Sequence, residues 1–345
     1  MKVLFIGPLS FGGTDEMRRQ ALERLGHHTL PVGYDRFFQL YYGVVRKFQW
    51  HLRIGPAVTR FNQMIMDTVR TGAPEMVWVE KGMFVWPSTL EAARESGVKY
   101  FVLYSPDNYF LRQNSSRHLW RGLPLYDIVV TTKTHNVAKL KEKGAKQVFL
   151  SGNAYDPEIH RPVPLSQDEY KEFGSDVSFI GTWEPAKESC LEAVAQLRVK
   201  LCIWGNRWER VTSVAVRNAS KGRPAMHDDY AKAICGAKIN LCFLSRLAGD
   251  AITQRSVEIP ACGGLMLAER TDEHLSHFAE DVEAVYFSSM EEMCQKIEYY
   301  LGHEEERQRI AAAGRKKCLT AGFSYDERIS QILEALKIES VNSNV

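Results

Sequence analysis

Residues 250–269, DAITQRSVEIPACGGLMLAE, decide how the rest of the chain is read. A helical stretch is predicted from about Thr253 to Cys262. Gly263 suits its C-terminal stop, and Gly264 leads directly into the apolar strand LMLAE. Asp250 precedes this helix and Glu258 lies two turns into it. A rise of 1.5 Å per residue places Glu258 roughly 8 Å from the helix start. Carboxylates are expensive to bury without a partner, and the diol of a sugar or ribose is one such partner. A solvated helix face bearing two ordinary charges is the other reading of the same spacing. Pro260 near the end of the helix removes the hydrogen bond back to Ser256.

The same helix-then-strand alternation extends on both sides. KVLFIG, EMVWVEKG, YFVLYSPDN, YDIVVTT and QVFLSG are strand-like apolar runs. Helices fall between them, among them GGTDEMRRQALERLG, PSTLEAARESG and THNVAKLKEKG, with Pro87 suited to a first turn. Residues 151–175 carry three prolines and polar filler and read as a linker. The pattern then restarts with DVSFIGTW, VKLCIWGNRW, AKINLCFLS, GLMLAE and EAVYFSS. Two helices close the chain, and the tail ESVNSNV is expected to fray. Strands alternating with helices imply parallel, doubly wound α/β sheets, and 345 residues accommodate two of them. Facing each other, two such sheets bring the carboxyl ends of their strands to one cleft, where ligands of open α/β sheets bind.

Composition excludes several function classes. A net charge of +2 gives no electrostatic case for nucleic acid or for an anionic membrane. The opening MKVLFIGPLSFGG reads as a first strand rather than a signal peptide, and no run reaches 18 apolar residues. Seven cysteines, all in the second half and without a close CxxC pair, argue against a disulfide framework or a zinc site. The chain therefore reads as cytoplasmic, with no transmembrane segment and no metal.

The residues after each strand carry the chemistry. GPLSFGGT is not a GxGxxG fingerprint, so no dinucleotide cofactor is expected. Gly12 and Gly13 either make a tight turn or present backbone amides to a phosphate or a sugar hydroxyl. Glu80 and Lys81 follow one strand, and Asp107 another. Asp107 is either a general base toward an acceptor hydroxyl or a turn residue after Pro106. In the second half, Gly181 and Thr182 follow a strand, with Lys187 nearby and Arg207 after the next strand. One lysine and one arginine there can neutralise a departing diphosphate. Tyr41, Tyr42, Tyr109, Phe110 and Trp120 either stack on sugars or belong to the core.

Several segments together resemble GT-B glycosyltransferases, of the kind related to the spore-maturation protein CgeB and to the group 1 glycosyl transferase C-terminal domains. They include VEKGMFVWPSTLEAARESGVK, YDIVVTTKTHNVAKLKEKGAKQVFL, NAYDPEIHRP, DVSFIGTWEP and above all RSVEIPACGGLMLAERTDE. They span nearly the whole chain in the family's order. The resemblance implies two Rossmann-like domains facing a central cleft. Residues 1–165 would bind an acceptor, 166–322 would bind a nucleoside diphosphate sugar, and a helix at about 323–338 would pack back on the first domain. Many retaining relatives carry Glu-x7-Glu, whose second glutamate holds the ribose diol and maps to Glu258. The first maps to Asp250, a shorter side chain that would face the donor sugar. Thr253 and Arg255 join the implied donor site with Gly181, Thr182, Lys187 and Arg207. Gly12, Gly13, Glu80 and Lys81 form the implied acceptor side, and Asp107 and Asp250 are the implied catalytic pair. Where relatives have a late His-Thr-Tyr, this chain has Phe323-Ser324-Tyr325, so no histidine role carries over.

The expected activity is transfer from a nucleoside diphosphate sugar, expected to be a UDP-sugar, to a saccharide, protein or small-molecule acceptor without a metal. A catalytically silent carbohydrate- or nucleotide-binding or assembly protein of the same fold is one alternative, and a non-hydrolysing sugar-nucleotide 2-epimerase is another. Asp107 as base fits inversion while the carboxylate pair resembles retaining enzymes, so the stereochemical outcome stays open.

Overall fold

The structure, a computed structural model, describes residues 1–9, 12–246 and 249–342, the last six as backbone only. It divides into two compact units, Met1–Gly152 with Tyr325–Val345, and Asn153–Ser324.

The first unit is built on six strands: β1 (Lys2–Gly7), β2 (His28–Gly33), β3 (Met76–Glu80), β4 (Tyr100–Ser105), β5 (Ile128–Thr131) and β6 (Val148–Leu150). All pair in parallel, in the order β2-β1-β3-β4-β5-β6. β3 is buried at every residue, as a parallel strand covered on both faces must be. β2 escapes the sequence reading because it is an edge strand with Pro31 in it and only two buried residues. The core gathers Leu4, Ile6, Phe61, Val79, Phe101 and Leu103. The final helix, Tyr325–Asn342, belongs to this unit: Asp326 pairs with Arg24 at 2.6 Å. Helix continues through Asn342, where the sequence reading expected fraying; 343–345 lie outside the described residues.

The second unit carries β7 (Ser175–Ile180), β8 (Leu201–Trp204), β9 (Ala237–Cys242), β10 (Met266–Glu269) and β11 (Val285–Phe287), again all parallel, in the order β11-β10-β9-β7-β8. Winding reverses between β1 and β3 in one sheet and between β7 and β9 in the other. These switch points are where open parallel sheets leave a crevice for ligands.

The expected linker is the main correction to the fold. The unit boundary falls at 152/153 rather than 165, because residues 153–165 pack into the second unit. Asp156 and His160 are buried, and the Val163 amide donates to Cys235 Sγ at 3.5 Å. A short helix, Gln167–Phe173, follows, opened by a reciprocal capping box between Ser166 and Glu169. The prolines break helical structure here without releasing the chain from the core. All seven cysteines are free thiols. Among the described residues no helix is long and apolar enough to cross a membrane.

Candidate functional site

The helix of the opening stretch spans Arg255–Ala261, shorter than its sequence pattern suggested. At its C-terminus the Gly264 amide donates to Ile259 O and the Gly263 amide to Pro260 O, with Gly263 at φ 78°. This is a Schellman closure, which needs a left-handed residue at Gly263. At the other end Ser256 Oγ accepts from the Thr253 amide at 3.2 Å and meets His274 Nε2 at 2.8 Å. His274 Nδ1 faces Glu269 O at 2.7 Å, so Nδ1 carries the hydrogen and Nε2 accepts from Ser256. Both ends of a seven-residue helix are thereby fixed, and with them the position of Glu258.

Glu258 is buried. Tyr230, on the helix Asp228–Cys235, donates its hydroxyl hydrogen to Glu258 Oε2. His160 Nε2 stands 3.6 Å from Glu258 Oε1. The Asp156 amide donates to His160 Nδ1 at 2.8 Å, so the ring hydrogen sits on Nε2 and points toward the carboxylate. Burial pushes His160 down to about 4, leaving the imidazole neutral and its contact with Glu258 a dipole rather than an ion pair. Burial likewise pushes Glu258 up to about 7, against the downward pull of the Tyr230 hydrogen bond and the Arg255 charge. Sequence reasoning found Glu258 but missed both partners: His160 lies far away in the chain and Tyr230 in an unremarked helix.

A cavity of about 420 Å³ lies at the carboxyl ends of β7, β9, β10 and β11. Lys187, Arg246, Asp250, Glu269 and Arg270 supply its charge. Lys187 pairs with Glu184 at 2.6 Å, Arg246 with Glu269 at 3.1 Å, and Arg270 with Glu292 at 3.1 Å. Asp250 thus reaches the cavity, while Glu258 lies outside its lining, so the two carboxylates do not share one wall. Thr253 is buried against Cys242. Arg255 places its guanidinium 5.9 Å from the centre of the Phe179 ring and donates to Phe243 O at 3.3 Å. Its buried Nε has no hydrogen-bond partner among the described residues.

Two expected donor residues are placed differently. The Gly181 amide donates to Trp204 O at 2.8 Å, so it is not available to a phosphate, and its carbonyl accepts from Trp208 Nε1 at 2.9 Å. The loops after β7 and β8 meet tightly here: a Cβ at Gly205 would lie 2.0 Å from Gly181 O. Thr182 beside them is exposed. Arg207 lies in a separate hollow of about 290 Å³ with Gly205 and Trp208, so it does not join Lys187.

In the first unit Glu80 is not open to an acceptor. Arg18 grips it with two hydrogen bonds of 2.8 Å, and Trp78 Nε1 donates a third at 2.9 Å. Burial opposes the charge on Arg18, yet Glu80 beside it holds Arg18 well above its ordinary value. Arg18 also stacks over Tyr104 at 4.3 Å and donates to Tyr325 at 3.4 Å, joining β4 to the last helix. Arg18 sits one residue past Met17 on the buried face of its helix, a place where charge signals a buried pair. The next residue differs: Lys81 reaches Asp107 at 2.8 Å, so the ends of β3 and β4 meet in an ion pair. Gly12, at φ 71°, and Gly13, the N-cap of the helix Thr14–Arg24, keep their predicted places. Ser10, Phe11, Leu247 and Ala248, which complete the two strand-end loops, lie outside the described residues. Tyr109 is core, bonded to Val130 O. Among the described residues no group of three or more His, Cys, Asp or Glu has metal-binding geometry.

Two parallel α/β units of this build in one chain define the GT-B fold. The chain superposes on solved structures over nearly its whole length. Sucrose-phosphate synthase from Thermosynechococcus elongatus superposes with a TM-score of 0.69 at 12% identity, over 99% of this chain and 100% of that one. A glycosyltransferase from Rickettsia africae gives 0.65 at 14% identity, over 97% of each chain. Anabaena HepE, solved in complex with UDP and glucose, gives 0.62 at 12% identity, over 98% and 99%. The family described as glycosyl transferase-like matches residues 186–334, and no curated protein sequence matches the chain. Residues 186–334 thus match a glycosyl transferase-like family and the chain has the GT-B fold, which together support transfer of a sugar from a nucleotide-sugar donor.

Proposed function

We infer that the donor is a UDP-sugar held in the second unit and that its sugar passes to an acceptor hydroxyl without a metal. The cavity at the four strand ends carries this reading, because its lining offers three cations against two carboxylates. HepE, similar in fold, is known in complex with UDP-glucose, which supports uridine as the base. A diphosphate entering the cavity would draw Lys187 from Glu184 and Arg246 from Glu269. Developing charge on the leaving diphosphate is then met by fixed cations. Glu258 Oε2 is taken by Tyr230, whereas Oε1 has only the long contact to His160. Oε1 is therefore the oxygen assigned to a ribose hydroxyl.

In this reading Asp250 faces the donor sugar, and Asp107 takes the acceptor proton once Lys81 has released it. Residues 1–152 serve the acceptor and 153–324 the donor.

The test is thermal shift with UDP, GDP, dTDP, CDP and their sugar conjugates, with and without EDTA, on the wild type and Glu258→Gln. A stabilisation by the uridine series alone, insensitive to EDTA and reduced in the variant, is expected. No response from the folded wild type to any nucleotide would sink the reading. Incubating the bound donor without acceptor separates transfer from 2-epimerisation, an activity suggested by likeness to a putative UDP-N-acetylglucosamine 2-epimerase from Listeria monocytogenes.

A further inference from the structure

The helix Gly43–Leu52 is amphipathic in the opposite sense to an ordinary surface helix. Its inner side is set by Gln49, buried, and by Trp50, which packs against Phe38 at 5.0 Å and Phe84 at 5.1 Å. Its outer side carries Val44, Val45, Phe48 and Leu52, the i, i+1, i+4 and i+8 positions of one face. With Tyr42 before the helix and Ile54 after it, these side chains are 47% to 84% exposed. Apolar residues singly exposed are ordinary, but four on one helix with two more at its ends mark a surface with an occupant.

Charge identifies the occupant. Residues 36–66 hold five Lys or Arg and no Asp or Glu, in a chain whose net charge is only +2. Arg53 is buried and bonded to Gln113 O at 2.9 Å, leaving Arg36, Arg46, Lys47 and Arg60 exposed. Arg46, Lys47 and His51, together with Asp35, also rim a hollow of about 320 Å³ beside the apolar face. An apolar face on which cations outnumber carboxylates, with Asp35 and Asp67 only at its sequence borders, is what an anionic bilayer surface attracts. The side chains enter the acyl boundary while the cations meet lipid phosphates. A second copy of the chain would complement the apolar face but would oppose these cations with its own.

We propose that the first unit docks on anionic lipid membranes through the outward face of the helix Gly43–Leu52. This inference stands independently of the donor reading.

Co-sedimentation of the full chain with vesicles tests it. Phosphatidylcholine alone is compared with phosphatidylcholine carrying about one-third phosphatidylglycerol. Binding is expected only to the anionic vesicles, weakening as salt screens the cations. The double variant Val44→Ser/Phe48→Ser should bind at least about tenfold more weakly. Arg46→Glu/Lys47→Glu should lose about tenfold or more. Circular dichroism and thermal unfolding confirm that each variant is folded, which these exposed positions favour. Wild type that stays in the supernatant with anionic vesicles overturns the proposal. So does undiminished binding by the folded Val44→Ser/Phe48→Ser variant. A dimer in solution that Phe48→Ser dissociates would reassign the face to a second copy.

Discussion

Glu80 and Glu258 are both buried glutamates, and both lie near the switch point of a parallel sheet. Glu80 has a guanidinium bonded to both oxygens and an indole on one of them. Glu258 has a tyrosine hydroxyl and a neutral imidazole, with no lysine or arginine within ion-pair distance among the described residues. In the first unit the carboxylate completes a clamp between the first helix, β3, β4 and the last helix. In the second the Tyr230 hydrogen bond and the Arg255 charge offset the cost of burying the charge only in part, which suits a residue kept for a ligand. Burial of the same side chain thus has opposite meanings, and its partners decide which applies.

The sharpest way to break the comparison is to remove the guanidinium. Arg18→Met leaves Glu80 buried without its counter-charge and should cost about 3–5 kcal/mol, read from urea unfolding. Arg18→Met/Glu80→Met removes both charges and should recover much of that loss. An equally destabilised double variant would show that the clamp acts through shape rather than charge.

Glu258 predicts a pH dependence of defined sign. Its folded value is raised to about 7 from 4.5, so the unfolded state binds fewer protons over that interval. Stability from this group is full below pH 4.5 and is lost as pH rises through 7. The total is roughly 3 kcal/mol at most, at 1.36 kcal/mol per unit. Urea unfolding of the wild type and Glu258→Gln at pH 5 and pH 8 isolates it: the variant should gain relative to wild type at pH 8. A constant difference between the two proteins would deny the elevated carboxyl.

For the ligand role, Glu258→Gln should weaken UDP binding by roughly tenfold, the loss of a charge-assisted hydrogen bond, measured by calorimetry. Wild-type affinity should fall from pH 8 to pH 6 as the carboxyl protonates. Tyr230→Phe is milder, at about 1 kcal/mol of stability, because it deletes one hydrogen bond. It should also move the Glu258 titration upward. The smallest effect belongs to Lys81→Met: its pair with Asp107 is about one-third exposed and should contribute less than about 1 kcal/mol.

Most of the architecture was legible because parallel strands buried on both faces leave near-continuous apolar runs. β3 and β9 are read directly from MVWVE and AKINLC, while β2 lacks that signal because it lies at the edge. The span 153–165 misled because proline content reports local conformation and not what packs against it. The site was legible as positions rather than partnerships. Glu258, Asp250, Lys81 and Asp107 all stand after strands or in the signature helix, which spacing reveals. That Lys81 meets Asp107, that Arg18 claims Glu80, and that His160 faces Glu258 depend on contacts distant in sequence. Gly181 failed for a subtler reason: a glycine after a strand announces close approach, and here the approaching group is Trp208 and the neighbouring loop.

The chain leaves the first unit once and returns once, and the second unit's two ends are joined to each other. The Tyr155 amide donates to Phe323 O at 3.0 Å, and Tyr155 bridges to Ser324. The second unit is therefore an insertion with paired ends, a cassette rather than a successor in the chain. Neither sheet borrows a strand from the other unit, so the strand pairing of each is complete within its own stretch of chain.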